Sequence, residues 1–191
     1  MIVKICGITN VEDARAAIQA GATALGFNFW PGSKRYLPIE EAARWAGSLD
    51  VLKVGVFVNE PESAIRAAAQ RAGLDVVQLH GDYHPPAGLR VWKAVAAGSP
   101  LDDPTAEAYL VDAPAGDEYG GTGRSFDWRK VRGANARVIL AGGLGPDNVA
   151  AAIEAARPWG VDACSRLESS PGRKDHGRMR AFCEAAIRVP V

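Results

Sequence analysis

Apolar residues in this chain gather into short, nearly continuous runs rather than alternating stripes. Eight runs can be followed, at residues 2–6, 24–29, 52–58, 75–79, 90–95, 108–111, 137–141 and 160–164. Runs of this length rich in Val, Ile and Leu are expected of parallel strands buried on both faces. The segments between them read as helices with recognisable starts. Asn10 caps residues 11–20, and Gly21 stops that helix. Pro38 opens 39–46, with Glu40 and Glu41 in the first turn where the helix dipole favours acids. Asn59 caps a helix with Pro61 near its start that runs to Ala72 and ends at Gly73. Pro146 and Asp147 lead into 148–156, ended by Pro158, and 174–187 carries Met179, Phe182, Ala186 and Ile187 at helical spacing.

Eight strand–helix units in unbroken alternation predict one domain over residues 1–191, an α/β fold of the (β/α)8 or TIM-barrel kind. A doubly wound open sheet is the competing architecture, but its first turn carries a glycine fingerprint that Cys6-Gly7-Ile8-Thr9 lacks. At 191 residues the chain is short for a barrel, which usually needs ~200 or more. Strand starts at 75, 90 and 108 leave little room between them. The fourth and fifth helices are therefore expected to be truncated or replaced by loops.

Composition narrows the partners. Lys+Arg and Asp+Glu both number 22, so no global field recruits nucleic acid or an acidic membrane, and any anion site must be local. No apolar run approaches the ~20 residues of a membrane-spanning helix. The start of the chain lacks the pattern of a signal peptide. Cys6, Cys164 and Cys183 are odd in number and widely spaced, which argues against a disulfide framework and fits a reducing cytoplasm. No cluster has metal-ligand spacing, so neither metal nor cofactor is expected. The sequence leaves monomer and homodimer equally open.

In a parallel barrel the chemistry lies at the C-terminal ends of the strands. Asp112 ends the sixth strand, as a turn cap or as a partly desolvated general acid. Cys6 ends the first, on the same strand face as Lys4. It reads as inert core, or as a base whose thiolate draws on that nearby charge. Cys164 and Cys183 read as core. Gly142 and Gly143 follow the seventh strand, and Ser165 and Arg166 the eighth, where loop amides and a helix N-terminus can bind phosphate. Glycine pairs also form ordinary turns. Arg35 is either solvated or grips a carboxylate with its two-pronged guanidinium. His80, ending the fourth strand, is either a core residue or part of the mouth. Gly120-Gly-Thr-Gly123 lies in a long loop after the sixth strand, fitting a mobile active-site loop but no nucleotide fingerprint.

Taken in order, these segments resemble the phosphoribosylanthranilate isomerase family of tryptophan biosynthesis. The matching pieces are Lys4-Ile-Cys-Gly-Ile-Thr9, Ser33-Lys-Arg35, Val54-Gly-Val-Phe-Val-Asn59, Gln78-Leu-His-Gly81 and Asp112. Tyr119-Gly-Gly-Thr-Gly-Arg-Ser-Phe-Asp-Trp128, Ile139-Leu-Ala-Gly-Gly-Leu144, Asn148-Val149 and Pro171-Gly-Arg-Lys-Asp175 complete the set. The resemblance implies an Amadori rearrangement of a phosphosugar, N-(5-phosphoribosyl)anthranilate, with Cys6 as base and Asp112 as acid. It also implies Arg35 near the anthranilate carboxylate and phosphate on the loops after strands seven and eight. The family has Ser-Gly after the eighth strand where this chain has Ser165-Arg166. If that position needs a left-handed backbone, arginine there costs roughly 1 kcal/mol or more of strain; alternatively its guanidinium adds a phosphate contact. The rival readings are another phosphosugar barrel enzyme, an epimerase or an indole-glycerol-phosphate-forming lyase, and a non-catalytic phosphosugar-binding barrel supported by Arg166 alone.

Overall fold

The eight apolar runs become eight parallel strands that close on themselves in chain order. They are β1 (Ile2–Cys6), β2 (Ala24–Asn28), β3 (Leu52–Val58), β4 (Val76–His80), β5 (Arg90–Ala96), β6 (Ala108–Asp112), β7 (Val138–Leu140) and β8 (Gly160–Ala163). The structure is a computed structural model that describes residues 1–113 and 126–190. The glycine-rich stretch 120–123 lies outside the described residues. Closure is made by β8 pairing with β1, in a register that sets Lys4 beside Asp162 and Ile5 beside Ala163.

Burial on both strand faces follows from two cores. Ala24, Val54, Val76, Trp92, Ala108, Leu110 and Ile139 fill the inside of the barrel. Val3, Ile5, Leu25, Phe27, Val77 and Leu79 point outward into the larger core beneath the helices. Because side chains alternate along a strand, Lys4 and Cys6 share the inner face of β1, and Asp112 shares that of β6 with Leu110.

Among the described residues five α-helices surround the strands: α1 (Val11–Gln19), α2 (Ile39–Ala43), α3 (Glu62–Ala72), α4 (Val149–Ala156) and α5 (His176–Ile187). Asn10 caps α1 as expected, its Oδ1 accepting from the Asp13 N–H at 2.8 Å. No helix lies between β4 and β5 or between β5 and β6, so the truncation expected from the spacing is present.

Three local expectations change. Asn59 does not cap α3, whose N-cap is Pro61. Instead Asn59 takes a left-handed backbone, φ 52, and its Oδ1 accepts from the Asp82 N–H at 2.9 Å, tying the β3 end to the β4 end. The second helix stops at Ala43 and passes into a 3-10 turn, Ala46–Ser48. The last helix begins after Asp175, which caps it by accepting from the Arg178 N–H at 3.0 Å. Before it stands an unexpected antiparallel hairpin, β9 (Glu168–Ser170) and β10 (Arg173–Lys174). Thr9 Oγ1 donates to the Gly172 carbonyl at 2.6 Å and the Lys174 N–H to Asp13 Oδ2 at 2.9 Å, anchoring the hairpin beside β1.

Candidate active site

The barrel mouth opens into one cavity lined by Cys6, Arg35, His80, Asp112, Gly142, Gly143 and Ser165. Seven of the eight residues picked from the sequence thus face a common space. Arg166 does not.

The thiol side is built by barrel closure. Lys4 Nζ donates to Asp162 Oδ1 at 2.8 Å inside the barrel, and Lys4 is wholly buried. Burial alone pushes an ammonium toward neutrality, but the Asp162 carboxylate and then Cys6 outweigh it and raise the Lys4 pKa. Cys6 lies one step nearer the mouth. A hydrogen bond from the Cys164 thiol is the largest influence on it; burial works in the opposite sense, and the Lys4 charge adds to the lowering. The net result is a Cys6 pKa of about 7. Gly26 makes room for this arrangement: a Cβ there would stand 2.7 Å from Cys6 Sγ and 3.1 Å from Lys4 Cε.

Cys164 corrects the sequence reading, which treated it as core. It lines the mouth, and its own pKa is raised well above 9.0, first by the hydrogen bond with Cys6 and then by burial. Since Lys4 pairs with Asp162, the residues two further along face each other as well. The signal was therefore present in the order of closure. Cys183 is fully buried on α5, as expected of a core residue.

Glu168 is the largest omission from the sequence reading. Arg35 Nε reaches its two oxygens at 3.1 and 3.2 Å and Arg35 NH2 reaches Oε2 at 2.7 Å. Lys174 Nζ sits 3.1 Å from Oε1 and also donates to the Cys164 carbonyl at 3.2 Å. Burial pushes the Glu168 carboxyl up, but Arg35 and Lys174 hold it below its ordinary value. The β9–β10 hairpin brings this carboxylate and Lys174 beneath the mouth. There they fix Arg35 with one edge of its guanidinium already engaged.

On the far wall His80 is neutral. Burial first, and the Lys4 charge second, lower its pKa to about 4. The Gln78 side-chain amide lies 2.9 Å from His80 Nε2 and is hydrogen-bonded to the ring. Asp112, half-buried at the end of β6, accepts at Oδ1 from the Ala113 N–H at 2.7 Å. Gly142 and Gly143 take left-handed backbones at φ 83 and 61 and turn the chain after β7 along the cavity.

Arg166 carries no left-handed strain, because Asn59 and Arg157 are the non-glycine residues with positive φ among those described. The position does not need the left-handed backbone on which that strain was conditional. Its guanidinium reaches the Gly143 carbonyl and Asp147 at 3.1 and 2.9 Å.

No cluster of three potential metal ligands occurs among the described residues, and no described helix is long and apolar enough to cross a membrane. A closed parallel barrel whose mouth joins a low-pKa thiol, a carboxylate and glycine loops after β7 defines the class of barrel enzymes acting on small phosphorylated substrates by proton transfer. The family model described as N-(5'phosphoribosyl)anthranilate (PRA) isomerase matches residues 3–185. An N-(5'-phosphoribosyl)anthranilate isomerase of Solibacter usitatus is 50% identical, with 97% of each chain covered. The phosphoribosyl anthranilate isomerase of Thermus thermophilus superposes with a TM-score of 0.89 at 35% identity, covering 100% of both chains. A phosphoribosyl anthranilate isomerase in complex with reduced 1-(o-carboxyphenylamino)-1-deoxyribulose 5-phosphate superposes at 0.81, 37% identical, covering 98% of this chain and 99% of that one. This chain belongs to the N-(5'-phosphoribosyl)anthranilate isomerase family and is an enzyme of it.

Proposed function

We propose that Cys6 and Asp112 carry the two proton transfers by which this isomerase converts N-(5-phosphoribosyl)anthranilate to 1-(2-carboxyphenylamino)-1-deoxyribulose 5-phosphate in tryptophan biosynthesis. Asp112 gives its proton to the furanose ring oxygen; the ring C–O bond breaks and the nitrogen lone pair forms a Schiff base. The Cys6 thiolate then takes the proton from the sugar's second carbon, and the C–H electrons flow to nitrogen to give an enolamine. Tautomerisation of the enolamine yields the ketone. Protons move between groups already present and no electrons leave the substrate, so acid and base suffice.

The observation that carries this reading is the thiol with a pKa of about 7 in the same cavity as Asp112. A base is most effective when its pKa lies near the working pH. Arg35, oriented by Glu168, is assigned to the anthranilate carboxylate, and neutral His80 to the wall beside it. Gly142, Gly143 and Ser165 are assigned to the phosphate, which meets backbone amides rather than a basic patch. The reading places this chemistry in a single barrel domain working in the cytoplasm.

An anthranilate-fluorescence assay on Cys6→Ser and Asp112→Asn tests it. Each substitution is expected to lower kcat by about 10²- to 10⁴-fold while leaving the fold intact by circular dichroism. Near-wild-type rates in both variants would sink the assignment.

A further inference from the structure

The loops after β7 and β8 are joined by a side chain that lines no part of the cavity. Arg166 sits in the 3-10 turn Ser165–Leu167, and its NH1 donates to the Gly143 carbonyl at 3.1 Å while NH2 reaches Asp147 Oδ2 at 2.9 Å. The guanidinium lies against Gly145, where a Cβ would stand 3.2 Å from both Cζ and Nε. Asn148 Nδ2 gives the Gly143 carbonyl a second donor at 3.0 Å, and Asn148 Oδ1 accepts from the Gly145 N–H at 2.8 Å. One carbonyl is thus fixed from two loops.

A trans peptide points its C=O and the following N–H in opposite directions, and the described residues contain no cis bond. Turning the Gly143 oxygen toward Asn148 and Arg166 therefore turns the Leu144 N–H the other way. Gly143 and Leu144 line the cavity; Asn148 and Arg166 do not. A Gly-Gly pair left alone has more backbone freedom than any other dipeptide, and binding an anion to it would first cost that entropy. Fixing the carbonyl in advance removes the cost, which is how preorganised donors gain affinity.

We propose that Arg166 is a positioning residue for the substrate's phosphate: it clamps the β7 and β8 loops into one ready-made anion cradle without touching the anion. This rests on the reading above that phosphate sits at those loops. The Arg166–Asp147 pair is solvent-facing, so its effect falls on binding more than on stability.

Steady-state kinetics with inorganic phosphate as competitor, on Arg166→Met, Arg166→Lys and Asp147→Asn, decide the matter. In Arg166→Met the KM and the phosphate inhibition constant rise together by about three- to tenfold, the loss of a charge-assisted hydrogen bond, while kcat changes far less. Arg166→Lys recovers part of the loss, and Asp147→Asn shows a smaller rise in the same two constants. If both constants stay unchanged in Arg166→Met, the proposal is overturned; a lowered Tm with both constants intact overturns it too. The underlying reading is tested separately by Ser165→Asp, which puts a carboxylate into the cradle. Phosphate competition that survives Ser165→Asp removes phosphate from these loops, whatever Arg166→Met shows.

Discussion

Two walls of the same barrel mouth are built in opposite ways. The wall made by β8, β1 and the loop after β2 is ionic. Lys4 pairs with Asp162, Arg35 and Lys174 with Glu168, and the Cys6 and Cys164 thiols lie between these pairs. Its contacts cross 158 and 133 residues of sequence, so they exist only once the barrel has closed. The wall made by β4 presents neutral groups to the cavity, a glutamine and a histidine two residues apart bonded to each other, and no helix follows β4 or β5. An ionisable thiol needs fixed charges whose own pKa values are settled by partners, and closure supplies them at one place. The other wall needs only a shaped, uncharged surface. Trimming its helices therefore leaves the thiol's surroundings untouched.

The sharpest way to break this comparison is to remove one charge from the ionic wall. Lys4→Met leaves the Asp162 carboxylate without its partner inside the barrel. The expected cost is about 3–5 kcal/mol, because a buried charge then stands unpaired. For a chain of this size that lowers Tm by roughly 10 °C. Replacing both partners, Lys4→Met with Asp162→Leu, should recover much of the loss, since neither charge is then stranded. Thermal unfolding of the two variants beside Gln78→Leu on the neutral wall gives the contrast. Equal losses in Lys4→Met and Gln78→Leu would erase the distinction between the walls.

The neutral wall makes its own prediction in acid. The His80 pKa falls from 6.5 to about 4 on folding, so between those values the unfolded chain binds a proton that the folded chain refuses. Stability from this residue is therefore complete above pH 6.5 and is lost as pH falls toward 4, by up to about 1.4 kcal/mol per pH unit. Urea unfolding of wild type and His80→Gln at pH 7 and pH 5 reads it directly. The variant should lose less than wild type between the two pH values, and an identical loss would mean that His80 is not held neutral.

Which parts of this were legible follows from how each is stabilised. The strands are specified by burial on both faces, which writes itself as apolar runs, and even the missing helices show as short spacing. The strand-end positions of Cys6, His80 and Asp112 followed from the same runs. Their chemical roles did not: from strand position alone Cys6 is better explained as core, and the family motifs overrode that reading. The β9–β10 hairpin is five residues in two short strands, polar, and held by side chains of Thr9 and Asp13 far away in sequence. Pro171-Gly172 marks the turn between its strands, but nothing local marks the short polar strands themselves, and the helical spacing of α5 drew Lys174 into the helix instead. Glu168 was hidden for the same reason, because its partners Arg35 and Lys174 meet it only in the closed barrel. Asn59 looked like a cap by residue type and proved to be a left-handed turn residue, another role open to Asn.

The finest test of the ionic wall concerns Cys164, whose position facing Cys6 was readable from strand order yet passed over. If Cys6 is the base, kcat/KM has an ascending limb with a midpoint at about 7, as the thiol becomes thiolate, and a descending limb set by Asp112, which must hold its proton to act as the acid. The Cys164 thiol is the largest single cause of that low midpoint, ahead of the Lys4 charge. Cys164→Ala removes the donor while keeping Lys4, so the midpoint should move upward, toward the ordinary thiol value of 9.0. A midpoint one pH unit higher cuts the thiolate fraction at pH 7 about fivefold, while the descending limb set by Asp112 stays where it is in wild type. Cys164→Ser, which keeps a hydroxyl donor, should fall between the two. An unmoved midpoint in Cys164→Ala would assign the low thiol pKa to the Lys4 and Lys174 charges and reduce Cys164 to packing. A rate lowered equally at every pH would instead show that Cys164 shapes the cavity rather than the charge on Cys6.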